Sequence, residues 1–432
     1  MQLQSIYENY LGATGISTDT RSLNNGEIFF ALRGENFNGN LFAEKAISLG
    51  ASKIIVDDEK LVKLSPKIIL VKDTLKTLQT LATFHRNKLQ TTIIGITGSN
   101  GKTTTKELIK KVLAKKYNVL ATEGNLNNHI GVPLSLLKLK EHHEVAIIEM
   151  GANHIKEIKF LCNIAQPNWG YITNFGKAHI EGFGSLEGVI KGKSELYDHL
   201  VSRKQKILIN GDDRKQIDQT KNYPTTSYGK GDNNNIQILP LINKNLKLQL
   251  SFKKNTFTSS LYGEYNLNNI AAAISFGYLF DIPLEAIKKA IAAYRSTNYR
   301  SQEIQIKHTL VLMDAYNANP SSMKLALEAF EKIATSKSAV ILGDMLELGA
   351  TSIKEHEDII ARCLNYKLKR IYLVGSNFSS TKTENETVTK YKDLETLFKF
   401  LESKTLTFDQ LLIKGSRYMK LERVLPFLES KL

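Results

Sequence analysis

Between residues 91 and 151 the chain runs through "TTIIGITG", "KTTTKELIKKVLAKK", "NVLAT", "VPLSLLKLK" and "EVAIIEMG". Short, continuously apolar runs alternate with longer runs of helical periodicity. A strand with one face in water shows apolar and polar residues in turn; these runs do not, so both faces must be covered. Parallel strands joined by crossover helices meet that demand, which holds the chain to an α/β, doubly wound design.

At 432 residues the chain is too long for one ordinary domain, and the pattern sorts into three. Residues 1–88 set apolar runs ("EIFFALRG", "ASKIIVDD", "KIILVKD") against helical stretches ("LFAEKAISLG", "TLKTLQTLATFHRNKL") and predict a small α/β domain. Residues 89–296 predict a larger parallel-sheet domain, continuing through "WGYITNFG", "QKILIN" and the helix "NLNNIAAAISFGYLF". Inside it, the polar alternating stretch from "SYGKGDNNN" to "TSSLYG" predicts a β-rich insertion. Residues 297–432 repeat the theme from "HTLVLMDAY" to "LERVLPFL" and predict a Rossmann-like, doubly wound domain.

The formal charge of +15 admits nucleic acid, a membrane surface or anionic small molecules as partners. Lysines are spread along the chain with no basic arm or RNP motif, which argues against nucleic acid and a membrane surface and suits phosphorylated substrates. Cys162 and Cys363 form no CxxC or Cys/His ladder, so neither a disulfide scaffold nor structural zinc is expected. No run approaches the roughly eighteen apolar residues of a membrane span, and "MQLQSIYENYLGATG" lacks the pattern of a leader. No membrane insertion is expected, and a cytoplasmic location is.

In "TGSNGKTT" a glycine-rich turn between a strand and a helix aims backbone N–H groups at an anion, and the helix adds its positive end. Gly98 and Gly101 allow close approach, Lys102 reaches the terminal phosphates and Thr103 offers a hydroxyl to Mg²⁺, with Asn100 and Thr104 completing the loop. The strict pattern has a further glycine where Ile96 stands. A Mg²⁺ on nucleotide phosphates also wants a carboxylate at a neighbouring strand end, and Glu149 closes the run "VAIIE".

The stretch "NFGKAHIEGFGSLEGVIKGKSELY" resembles the Mur ligases, ATP-dependent amide-bond-forming enzymes of peptidoglycan assembly. The resemblance covers nearly the whole chain: "STDTRSLNNGEIFFALRGENFNGN", "NLNNHIGVPLSLL", "IIEMGANHIKEI", "GEYNLNNIAAAI", "DAYNANPSSM", "ILGDMLELG" and "LLIKGSRYMKLE". The last three are similar to the dipeptide-adding branch, and the Asp-Asn-Pro-Arg motif usual in the branch that makes the tripeptide is absent. The resemblance implies ATP and Mg²⁺ as cofactors, UDP-N-acetylmuramoyl-tripeptide and D-alanyl-D-alanine as substrates, an acyl-phosphate intermediate and a monomer.

It further implies that Lys102 and Thr103 hold the ATP phosphates and a first Mg²⁺, that Glu149 shares two Mg²⁺ ions, and that His179 binds the second. Lys193 in "GKSELY" matches a lysine carried as a carbamate, which turns a cation into an oxygen donor for Mg²⁺. By composition alone Lys193 reads as a surface lysine. Asn268 or Asn269 falls near adenine, with Asn269 preferred on its spacing from Asn266. Arg300, Asp314, Tyr316 and Asn317 match residues that close over the nucleotide, and Tyr265 stands where histidine is common. Lys102, Lys193, His179, Asp314 and Arg300 form the expected catalytic set. Lys414 and Arg417, in a Gly-Ser turn after a strand, suit the carboxylate of the dipeptide. Thr20, Arg21, Ser22, Asn36 and Gly39 fall in the expected UDP-substrate domain, and Asn128 joins them as a substrate contact.

Two other readings compete. A sister amide ligase, adding a diamino acid or polyglutamylating folate, shares the core chemistry with a different amine. A P-loop ATPase acting on nucleic acid draws on Lys102 and the charge, but no helicase-like Asp-Glu box follows the loop.

Overall fold

In the first sheet Ile28, Phe30 and Ile55 face one way and Phe29, Ile54 and Val56 the other, the two-residue period of a strand buried on both sides. Its four strands are all parallel, in the order Ile16–Ser17, Ile28–Phe30, Lys53–Val56, Ile68–Leu70. Helix Ala43–Ser48 covers one face through Ala43 and Ala46. Helices Gln2–Leu11 and Thr74–Lys88 cover the other with Ile6, Leu78 and Leu81. The computed structural model describes residues 2–241, 247–297, 299–403 and 406–431.

The same apolar cluster continues into the middle of the chain through Ile93, Leu136, Ile148 and Ile172, so helix Thr74–Lys88 is packed on both sides. Arg86 near the end of that helix is buried and donates to Ala165 O (3.2 Å), Gln166 O (3.3 Å) and Asn168 Oδ1 (2.9 Å). Ala165 ends helix Glu157–Ala165, where carbonyls lack helical partners and attract a cation. Arg86→Ala strands these acceptors and should cost about 2–3 kcal/mol, read as a lower urea midpoint at unchanged slope.

The second sheet has seven strands, all parallel: Ile236–Gln237, Thr226–Gly229, Lys206–Asn210, Trp169–Ile172, Thr92–Thr97, Val145–Glu149, Val119–Ala121. From Thr92–Thr97 the chain crosses to the edge strand Val119–Ala121, returns to place Val145–Glu149 between the two, and then builds outward on the other side. That strand therefore lies at a change of winding direction, where ligands settle beyond strand ends. The stretch read as an insertion is smaller than the sequence suggested. Thr226–Gly229 and Ile236–Gln237 extend the parallel sheet, because Tyr228 and Ile236 are apolar anchors of its core. Leu239–Leu241, Leu248–Phe252 and Asn255–Ser259 form the separate antiparallel sheet; residues 242–246 of the stretch lie outside the described residues.

The third sheet has six strands, ordered Gln302–Ile306, Thr309–Asp314, Gln410–Lys414, Ala339–Gly343, Arg370–Val374, Val388–Tyr391. Only Gln302–Ile306 is antiparallel to its neighbour. Helices including Pro320–Glu331, Ser352–Leu364 and Leu394–Glu402 cover its two faces. Lys404, read as part of the last of these, lies outside the described residues. Among the described residues no helix is long and apolar enough to cross a membrane.

Candidate active site

Strand Thr92–Thr97 delivers the glycine loop to the head of helix Lys102–Leu113. Gly98 has φ +139 and Gly101 φ +82, where side chains are strained. Space forbids them as well: a Cβ on Gly98 would lie 1.9 Å from Thr173 Oγ1, and one on Gly101 2.6 Å from Asn269 Oδ1. Ile96, which departs from the strict pattern, is a fully buried strand residue. Asn174 locks the loop by accepting from Asn100 N (3.1 Å) and donating to Asn100 O (2.9 Å).

Lys102 Nζ folds over the loop and donates to Gly98 O at 2.7 Å. Burial pushes its ammonium pKa down, and Glu149 opposes that shift. Glu149 is buried at the end of strand Val145–Glu149, accepting from Thr103 Oγ1 and Asn127 Nδ2, each at 2.8 Å. A hydroxyl and a carboxylate beside an anion-binding loop are hard oxygen donors, and they fit Mg²⁺. Among the described residues no group of three or more His, Cys, Asp and Glu forms a metal cage, so such an ion would draw further ligands from elsewhere.

His179 sits in the left-handed region (φ +55) just before the short helix Ile180–Phe183, and its Nδ1 meets the carboxylate of Glu347. Lys193 is 1% exposed within helix Leu186–Ser202, the reverse of the surface position its composition suggests. Its Nζ lies 5.3 Å from the centre of the Phe183 ring, and among the described residues it has no ion-pair partner. Burial first and the charge of Lys102 second push its pKa well down.

The third sheet brings Asp314 and Lys414 side by side, paired in register at the ends of adjacent strands and 2.6 Å apart. Lys414, expected to hold substrate, is buried, and its ammonium is already paired with Asp314. Asp314 also accepts from Ser301 N (3.1 Å) and so fixes the segment that carries Arg300. Arg300 Cζ lies 3.5 Å and Arg417 Cζ 5.8 Å from the centre of the Tyr316 ring. The Arg300 Nε is buried with no partner among the described residues.

These groups line one cavity of about 880 Å³. Asn100, Gly101, Lys102, Thr103 and Thr104 open into it, with Asn128, Glu149, His179, Asn269 and, from the third sheet, Arg300, Asp314, Tyr316, Asn317, Lys414 and Arg417. Gly98 and Lys193 do not line it. Asn269 is buried with both ends engaged, accepting from Thr105 Oγ1 (3.0 Å) and donating to Asn266 Oδ1 (2.7 Å). Asn268 is exposed and also lines the cavity. Asn128 accepts from Gly131 N (2.9 Å) at the start of helix Gly131–Leu136.

Thr20, Arg21, Ser22, Asn36 and Gly39 do not line the cavity. Arg21 pairs with Asp19 at 2.6 Å, and Ser22 Oγ donates to Asp19 O at 3.3 Å. Thr20 is buried; Asn36 lies in the exposed turn before strand Phe37–Asn38; a Cβ on Gly39 would meet Leu32 O at 2.6 Å. Sequence reasoning missed Asn127, Asn174 and the contacts that join the second and third sheets across the cavity. Asn319 Nδ2 donates to Asn100 Oδ1 at 2.8 Å, and Lys177 pairs with Glu355 at 2.7 Å. Their signal lay in "DAYNANP" and "NFGKAH", but a single sequence does not say that these stretches meet.

Comparison with known proteins places this geometry in a family. Residues 13–86 match the Mur ligase family catalytic domain, 96–277 the Mur ligase middle domain, and 299–417 the Mur ligase glutamate ligase domain. The chain is 35% identical to the UDP-N-acetylmuramoyl-tripeptide–D-alanyl-D-alanine ligase of Bacillus subtilis over 95% of its length and 92% of that protein's. The Escherichia coli protein of that name is 32% identical over 96% and 93% of the two chains. Among solved structures, the MurF ligase of Thermotoga maritima in complex with ADP superposes with a TM-score of 0.84 at 27% identity, covering 98% of each chain.

Proposed function

This chain belongs to the Mur ligase family, and from that premise we propose that it joins D-alanyl-D-alanine to UDP-N-acetylmuramoyl-tripeptide through an acyl phosphate. As a member it is an ATP-dependent ligase that forms a C–N bond. The observation that carries the choice of substrates is the reach of the similarity. Relatives bearing that name match nearly end to end, through the third sheet that supplies Arg300, Asp314 and Arg417 to the cavity.

A carboxylate resists an amine because its oxygen is a poor leaving group. In the proposed reaction the tripeptide carboxylate attacks the γ-phosphorus and ADP leaves. The amine of the dipeptide then attacks the acyl carbon; the C–N bond forms, the C–O bond to phosphate breaks, and the amine gives up a proton. The loop from Gly98 to Thr104 holds the phosphates through its N–H groups, and Lys102 neutralises charge at the transferred group. Thr103 and Glu149 hold Mg²⁺, which when bound offsets the repulsion between the carboxylate and the nucleotide.

His179 and Lys193 hold a second ion on this reading. Burial favours the uncharged amine of Lys193, the form that adds CO₂ to give a carbamate and a proton. Arg300 and Arg417 meet the anionic groups of the substrates, while Asp314 keeps Lys414 and the Arg300 segment in place. Residues 1–88 serve the UDP end, 89–296 the nucleotide and 297–432 the dipeptide. The chain works as a monomer in the cytoplasm without nucleic acid.

The test is phosphate release from Mg-ATP with UDP-N-acetylmuramoyl-tripeptide and, in turn, D-alanyl-D-alanine, meso-diaminopimelate and L-lysine, with product mass recorded. Release coupled to a pentapeptide with the dipeptide alone is expected. Turnover only with another amine would overturn the assignment of substrates.

A further inference from the structure

We infer that Glu347 is a positioning residue for His179, by which the third domain orients a ligand of the middle domain's metal site. The inference rests on the reading of His179 as a metal ligand. Its own basis is the contact between the Glu347 carboxylate and His179 Nδ1. An ionised carboxylate only accepts, so the proton of this pair belongs on Nδ1. That leaves the Nε2 lone pair free and fixes the plane of the ring, the service a carboxylate gives a ligating histidine.

The backbone supports a built contact. Both His179 (φ +55) and Glu347 (φ +61) occupy the left-handed region that side chains seldom adopt. Such outliers persist where the surroundings enforce them. The chain around His179 reaches the same loop a second time, Glu181 N donating to Glu347 O at 3.3 Å. On the other side the loop is anchored in the third domain. The Asp344 carboxylate accepts from Asn377 N and Phe378 N, each at 2.9 Å, and His356 Nε2 accepts from Met345 N at 3.0 Å. Glu347 thus stands on a support rooted in one domain and touches a side chain rooted in the other.

The experiment uses Mn²⁺ as the probe, titrated by the loss of its free-ion resonance into the full chain with a non-hydrolysable ATP analogue. Wild type, Glu347→Ala, Glu347→Gln and His179→Ala are compared, and melting curves verify the fold. Glu347→Ala should weaken the weaker of two Mn²⁺ sites by about 10- to 100-fold. Glu347→Gln, whose amide oxygen still accepts from Nδ1–H, should stay near the wild type, and His179→Ala should lose at least as much as Glu347→Ala. If His179→Ala weakens the site and Glu347→Ala does not, the inference fails while His179 stands as a ligand. If His179→Ala binds Mn²⁺ like the wild type, the reading of His179 fails and takes the inference with it.

Discussion

Lys102→Met should lower the rate of phosphate release at saturating substrates by about 10²–10³-fold while the protein melts no earlier than the wild type. The lysine opens helix Lys102–Leu113, and its ammonium lies 2.7 Å from Gly98 O, over the loop proposed to hold the phosphates. On the proposed reaction, removing it takes a cation from the point where negative charge is transferred. The loop glycines and the Thr103–Glu149 bond do not depend on it, so their geometry survives. Stability should not suffer, because burial already disfavours this charge. Phosphate release and a melting curve on one preparation check both halves. A variant that keeps more than about a tenth of the rate would mean that the loop does not grip the transferred group.

The parts of this site that were legible in the sequence are local ones. Strand Thr92–Thr97, the glycines and helix Lys102–Leu113 form one continuous stretch, and Glu149 stands at the end of an apolar run. What was not legible depends on register and on contacts between distant segments. Asp314 and Lys414 become partners only because their strands, one hundred residues apart, are adjacent and aligned. Strand Gln302–Ile306 escaped notice because an edge strand carries glutamine and glutamate on its open side, and Val388–Tyr391 because "VTKY" has little apolar weight. The apparent insertion misled for a related reason. The polar turn signals between Gly229 and Ile236 read as part of an insertion, whereas the two strands they join run parallel and extend the central sheet. Glu347 lay in a stretch whose likeness to the family was visible but whose contact with His179 was not.

Lys193 is where composition and structure disagree most, and it yields the second large effect. A lysine in the middle of helix Leu186–Ser202 would ordinarily extend into water, yet this one is 1% exposed against the Phe183 ring with its pKa well down. An ammonium there is costly to bury, and as a cation it repels the metal ion proposed beside it. A carbamate reverses the sign and supplies oxygen donors suited to Mg²⁺. Lys193→Ala should therefore lower the rate by about 10²–10³-fold, and added acetate, a carboxylate of the same charge, should restore part of it. Lys193→Arg keeps the positive charge but not the nucleophilic amine, and should remain as slow with acetate as without. Intact-protein mass measured with bicarbonate and after exhaustive removal of CO₂ gives an independent reading: the wild type should carry one CO₂ more in the first state, and neither variant should. Equal rates for wild type and Lys193→Arg would make the lysine a buried cation with a structural role, and the second metal site would then have to be built without it.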